Sequence, residues 1–126
     1  MTGPLRELRV VGIRREDKSP WETRTPLVPT DVARLVRAGV PVHVQRSDLR
    51  CFPDAEFAAA GAVLADDLRL AEVVLAVKEI PPALLERGKT YLFFSHTIKG
   101  QPHNMPLLRR VLELGITLID YERITD

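Results

Sequence analysis

Short apolar runs and amphipathic stretches take turns along the whole chain. Residues 8–13, LRVVGI, read as a strand. The stretch TDVARLVRAG predicts a helix with Thr30 as N-cap, Asp31 in the first turn and Gly39 as the stop. In VPVHVQ, Val40, Val42 and Val44 fall on one face with a period of two, which marks a second strand and leaves His43 as a residue of its other face. DAEFAAAGAVL gives an alanine-rich helix, ended near Gly61 and followed by a short strand. Residues 71–77, AEVVLAV, form a continuous apolar run of the kind buried on both faces. IPPALLERG predicts a proline-started helix, TYLFF a strand, MPLLRRVLELG a helix with leucines at helical spacing, and ITLID a last strand.

Strands that alternate with helices imply an α/β fold: a doubly wound, mainly parallel sheet with helices on both faces, Rossmann-like or flavodoxin-like in plan. No internal repeat, linker or low-complexity tract interrupts the 126 residues, which the size prior reads as one domain, 1–126. Such sheets bind ligands beyond the carboxyl ends of their strands. The residues that follow each strand are therefore the candidates. They are Arg14, Arg15, Glu16, Asp17 and Lys18 after the first, Lys78 and Glu79 after the fourth, Ser95, His96 and Lys99 after the fifth, and Asp120, Tyr121 and Glu122 after the last. Each alone is an ordinary solvated loop residue. Four strands that deliver cations, carboxylates and an imidazole to one edge make a site.

Composition narrows the partners. Eighteen basic and seventeen acidic residues, spread without a block, give no electrostatic case for nucleic acid or a membrane surface. No run approaches a membrane span and no signal peptide is evident, so the expected location is cytoplasmic. The single cysteine, Cys51, excludes an internal disulfide and reads as a packed thiol. His43, His96 and His103 lack metal-ligand spacing, so no metal is expected. An arginine fork suits a carboxylate, and lysine and histidine can exchange protons. The chemistry points to an amino acid or keto acid.

Four motifs add a resemblance. GIRREDKSPWETRTPLVP, AVKEIPP, FFSHTIKGQPHNMPLL and LIDYERITD resemble the N-terminal part of the lysine-ketoglutarate reductase region of aminoadipic semialdehyde synthase. The wider group comprises lysine-forming saccharopine dehydrogenase, alanine dehydrogenase and the transhydrogenase N-terminal domain. The resemblance implies an oxidoreductase that joins the lysine side-chain amine to 2-oxoglutarate as an imine, which a reduced nicotinamide cofactor converts to saccharopine. It also implies catalytic roles for Lys78 and His96 as an acid–base pair, and a substrate-carboxylate contact for Arg24. Lys99, Glu122 and Glu79 match charged positions that contact or tune the site, with a structural ion-pair role equally open for each. Trp21 reads as a packing anchor for the loop around it.

The glycines, at 3, 12, 39, 61, 88, 100 and 115, contain no Gly-x-Gly, so the fingerprint that cradles a dinucleotide pyrophosphate is missing. NADPH or NADH is thus expected only through a separate dinucleotide-binding domain, in cis or in trans, and the isolated chain is expected to be inactive. Two other expectations stand beside this one: a stand-alone module that binds an amino acid or keto acid, and a non-catalytic subunit that serves assembly, for instance in a homo-oligomer.

Overall fold

The computed structural model describes residues 9–95 and 105–124. Their strands are β1 (Val11–Ile13), β2 (Val42–Gln45), β3 (Val63–Ala65), β4 (Val73–Lys78), β5 (Thr90–Phe94) and β6 (Thr117–Asp120), and their α-helices are α1 (Pro29–Arg37), α2 (Asp54–Ala59) and α3 (Met105–Glu113). All the strand pairs are parallel, in the order β3-β2-β1-β4-β5-β6. The chain thus winds outward from β1 to β3, returns beside β1 as β4, and winds the other way to β6. The direction reverses between β1 and β4. No helix among the described residues is long and apolar enough to cross a membrane.

Local chemistry moves several boundaries from where the pattern puts them. β1 begins at Val11 rather than in the 8–10 segment; the Val11 N–H is the first to find a partner, the Pro41 carbonyl, at 3.0 Å. α1 is capped by Val28, not Thr30. Pro29 has a fixed φ and no N–H to satisfy, which suits the first helical position, so the helix starts earlier. Asp31 then accepts the Val28 N–H at 3.2 Å, which favours the same start. Gly39, at φ 89°, ends the helix as expected, in a conformation that other residues adopt at a cost. The 80–88 segment is not an α-helix but a 3-10 turn, Pro82–Leu84. Two consecutive prolines remove two N–H donors, and so short a connection cannot recover the cost of helix nucleation.

The core is two clusters on opposite faces. α1 and α2 bring Val32 and Phe57 onto Ile13, Val42 and Val44. On the other face α3 brings Leu107 and Val111 onto Val74, Ala76, Tyr91 and Phe93, which Leu68 and Ala71 of the β3–β4 connection extend towards β1. Helices therefore lie on both faces, but each half of the sheet is clad on one face only. β4 is correspondingly less enclosed than a run buried on both faces: Val74 and Ala76 are buried, whereas Leu75, facing the other way, is half-buried.

Gly12 has no room for a side chain. A Cβ there would stand 2.7 Å from the Ala71 Cβ and 3.2 Å from a Leu68 methyl, because the β3–β4 connection crosses β1 directly, without a helix. Gly12→Ala is expected to destabilise the fold. Overpacking at about 1–3 kcal/mol outweighs the roughly 0.5–1 kcal/mol that alanine gains over glycine in a strand. A lower denaturant midpoint at constant m-value would show it, and an unchanged midpoint would contradict the close approach.

Candidate active site

The reversal between β1 and β4 sends their following segments to different sides and leaves a crevice at the carboxyl edge. The loop after β1 enters it. Glu16, 8% exposed, crosses to the end of β4 and accepts two consecutive backbone N–H groups, from Val77 at 3.0 Å and from Lys78 at 2.8 Å. Burial raises its carboxyl pKa, and the two backbone bonds and nearby Arg14 oppose that rise. Farther along the same loop, Glu22 is buried and holds Arg24. Its Oε1 accepts Nη2 at 2.5 Å, and its Oε2 accepts Nε at 2.9 Å and the Arg24 backbone N–H at 3.1 Å. The Arg24 hydrogen bond, with a smaller contribution from the Lys78 charge, holds the Glu22 carboxyl below the ordinary carboxylate range. Two buried carboxylates of this one loop thus hold the Lys78 backbone and the Arg24 side chain.

This pairing orients the arginine without consuming it. Two of its nitrogens face Glu22, and the side chain is 63% exposed, so the Nη1 edge of the fork remains for another carboxylate. Below it lies an apolar trough of about 540 Å³, floored by Leu75, Val77, Leu92 and Phe94 on the open face of the sheet, with Cys51, Phe52 and Tyr121 on its walls. Tyr121 meets Phe94 edge to face at 5.0 Å. Burial, followed by the charge of Glu16, pushes the Tyr121 hydroxyl up to about 12, so the phenol stays protonated at neutral pH.

The other expected members divide. Glu79, the first residue past β4, lines a cleft with Asp17, Pro82 and Pro106, where it forms an ion pair with Lys18. Glu122 belongs to a 3-10 turn, Tyr121–Arg123, and its N–H donates to Asp120 Oδ1 at 3.0 Å. Asp120 also accepts the hydroxyl of fully buried Ser95. That bond ties the end of β5 to the end of β6. His96 and Lys99 lie outside the described residues.

Two expectations about the neighbouring loops are corrected. Trp21 is no packing anchor: it is 84% exposed. Buried carboxylates bonded to backbone fix this loop, so it does not need an aromatic plug. Cys51 is exposed rather than packed; its N–H is held by the Thr23 carbonyl at 2.8 Å, which leaves it on the rim of the trough.

Residues 12–126 match the family described as alanine dehydrogenase/PNT, N-terminal domain. The chain belongs to this family. Among curated members, the alpha-aminoadipic semialdehyde synthase of Rattus norvegicus is 44% identical over 117 residues, covering 93% of this chain and 13% of that protein. Its Arabidopsis thaliana counterpart is 40% identical, with 91% and 11% covered. The lysine-forming, NAD(+) saccharopine dehydrogenase of Emericella nidulans is 34% identical, with 89% and 32% covered. The chain thus spans only a small part of the curated relatives it matches. Among solved structures, an L-alanine dehydrogenase superposes with a TM-score of 0.76 at 28% identity, over 90% of this chain and 32% of that one. A transhydrogenase from Sinorhizobium meliloti, at 23% identity and a TM-score of 0.75, shares the fold over 93% of this chain and 37% of its own. This alanine dehydrogenase/PNT N-terminal domain is therefore of the kind found in the lysine-ketoglutarate reductase and saccharopine dehydrogenase proteins.

Glu22 is the member that reading the sequence does not single out, and Glu16, though among the residues that follow the first strand, is not distinguished there from its charged neighbours. Glu16 sits inside the run Arg-Arg-Glu-Asp-Lys, which looks uniformly solvated, and Glu22 is separated from its partner by a single residue. The usable signal is position. Glu16 is the first carboxylate after the strand at which the sheet reverses.

Proposed function

We propose that this domain supplies the substrate contacts and acid–base groups of a lysine-ketoglutarate reductase type oxidoreductase, and that a separate dinucleotide-binding domain, in cis or in trans, supplies the nicotinamide cofactor. The observation that carries the reading is Arg24, held by buried Glu22 with one edge of its fork open, on the rim of an apolar trough at the carboxyl edge of the sheet, in a chain whose relatives include lysine-forming saccharopine dehydrogenases. In this reading the outer edge of the Arg24 fork takes a carboxylate of 2-oxoglutarate or saccharopine. Lys78, with His96 as its partner, moves the protons of imine formation and reversal. The cofactor supplies only the hydride. The apolar trough gives the methylene chain of lysine or saccharopine a dry surface.

The test is titration calorimetry with the chain and 2-oxoglutarate. The dicarboxylate should bind more tightly than a neutral amino acid, and the preference should shrink as salt rises. Arg24→Ala should weaken binding about tenfold to a hundredfold, the loss of a charged hydrogen-bond pair. Binding of a neutral amino acid that equals that of 2-oxoglutarate and ignores Arg24→Ala would defeat the reading.

A further inference from the structure

We propose that Glu16 is the positioning residue of Lys78; the inference rests on the proposed role of that lysine. The strand itself makes the case. β4 and β5 pair in register from Val73↔Thr90 to Leu75↔Leu92, but Lys78 then faces Phe94, so β4 carries one residue more than its partner over that interval. Such a bulge turns the following side chain to a new direction and takes backbone N–H groups out of the regular ladder. Buried N–H groups without a partner are costly. Here the two at the bulge, of Val77 and Lys78, are taken by the two oxygens of one carboxylate, which reaches back 61 and 62 residues along the chain. Glu16 replaces the missing rungs of the ladder at the point where Lys78 leaves the strand.

The same carboxylate lies in a mixed field. Arg14 and Glu22 of its own loop act on it, and its charge is felt by Arg24, by buried Arg50 from the segment before α2, and by Tyr121 after β6. Its link to Lys78, by contrast, is the backbone bond. Geometry is the proposal: the two bonds hold the bulge, and the bulge aims the ammonium at the neighbourhood of Glu22 and Arg24.

Glu16→Gln removes the charge and half of the bidentate acceptor at constant length. Glu16→Asp keeps the charge but is one methylene too short to span both N–H groups. The chain has four lysines, so each side chain can be followed by carbon-13 and nitrogen-15 NMR, with the backbone amide spectrum as the check that each variant is folded. Both substitutions should shift the Val77 and Lys78 amides and the Lys78 side-chain resonances, while those of Lys89 stay as in the wild type. If Glu16→Gln shifts the Lys78 side chain and Glu16→Asp leaves it as in the wild type, charge alone is at work and the positioning role is overturned. It is equally overturned if neither variant shifts it. The keto-acid reading is judged separately in the same samples: 2-oxoglutarate that leaves the site resonances unperturbed would end that reading, while the Lys78 resonances of the two variants still decide the part played by Glu16.

Discussion

Combined with a dinucleotide-binding domain, the Lys78→Met form of this chain is expected to convert lysine and 2-oxoglutarate to saccharopine about 10²–10⁴-fold more slowly than the wild type, the usual contribution of one general acid–base group. Methionine is close to lysine in length and volume but can neither gain nor lose a proton. The loss should therefore fall on kcat more than on KM for 2-oxoglutarate, whose carboxylate is assigned to Arg24. Arg24→Ala should divide the other way. Turnover of Lys78→Met within twofold of wild type would remove Lys78 from the chemistry.

The 126-residue chain alone should show no lysine- and 2-oxoglutarate-dependent oxidation of NADPH. Hydride transfer requires the nicotinamide ring in van der Waals contact with the imine carbon, and such placement is worth roughly 7–11 kcal/mol of barrier. The usual means of holding the cofactor is a glycine-rich turn that admits pyrophosphate onto a helix N-terminus. None of the seven glycines is spaced for it. Adding a dinucleotide-binding domain should bring the activity up from background. Sustained oxidation by the chain alone, dependent on both substrates and abolished by Lys78→Met, would contradict the proposed division of labour.

The strand and helix alternation was legible because it rests on local patterns: the valines of β2, the leucines of α3 and Gly39 each act within a few residues. The failures arose where two signals competed. Pro29 and Thr30 both mark a helix start, and the fixed φ of proline prevailed over a hydroxyl that has a solvent-facing alternative. In residues 80–88 the apolar spacing suits a helix, yet the connection is too short and too proline-rich to form one. The site was legible to the extent that it lies just past strand ends, as Glu16 and Lys78 do, whereas Arg24, deep in the loop after β1, is reached only through the family resemblance. What joins them was not. Burial of Glu16 depends on β1 and β4 becoming neighbours, a long-range event that no window of charged residues contains.

Gly12 also links two distant parts of the chain in how they are free to change. The absence of a side chain lets a seven-residue crossing, 66–72, lie flat against β1, closer than a helix clothed in side chains could come. A larger residue at position 12 and a longer crossing are each harmful or wasteful alone: the first strikes Ala71, and the second stands off from a bare backbone and leaves a void. Together they restore a packed layer. Divergence at this place should thus proceed by paired steps, an insertion in the crossing accompanied by a side chain on the strand, and a lineage that keeps the short crossing is held to glycine.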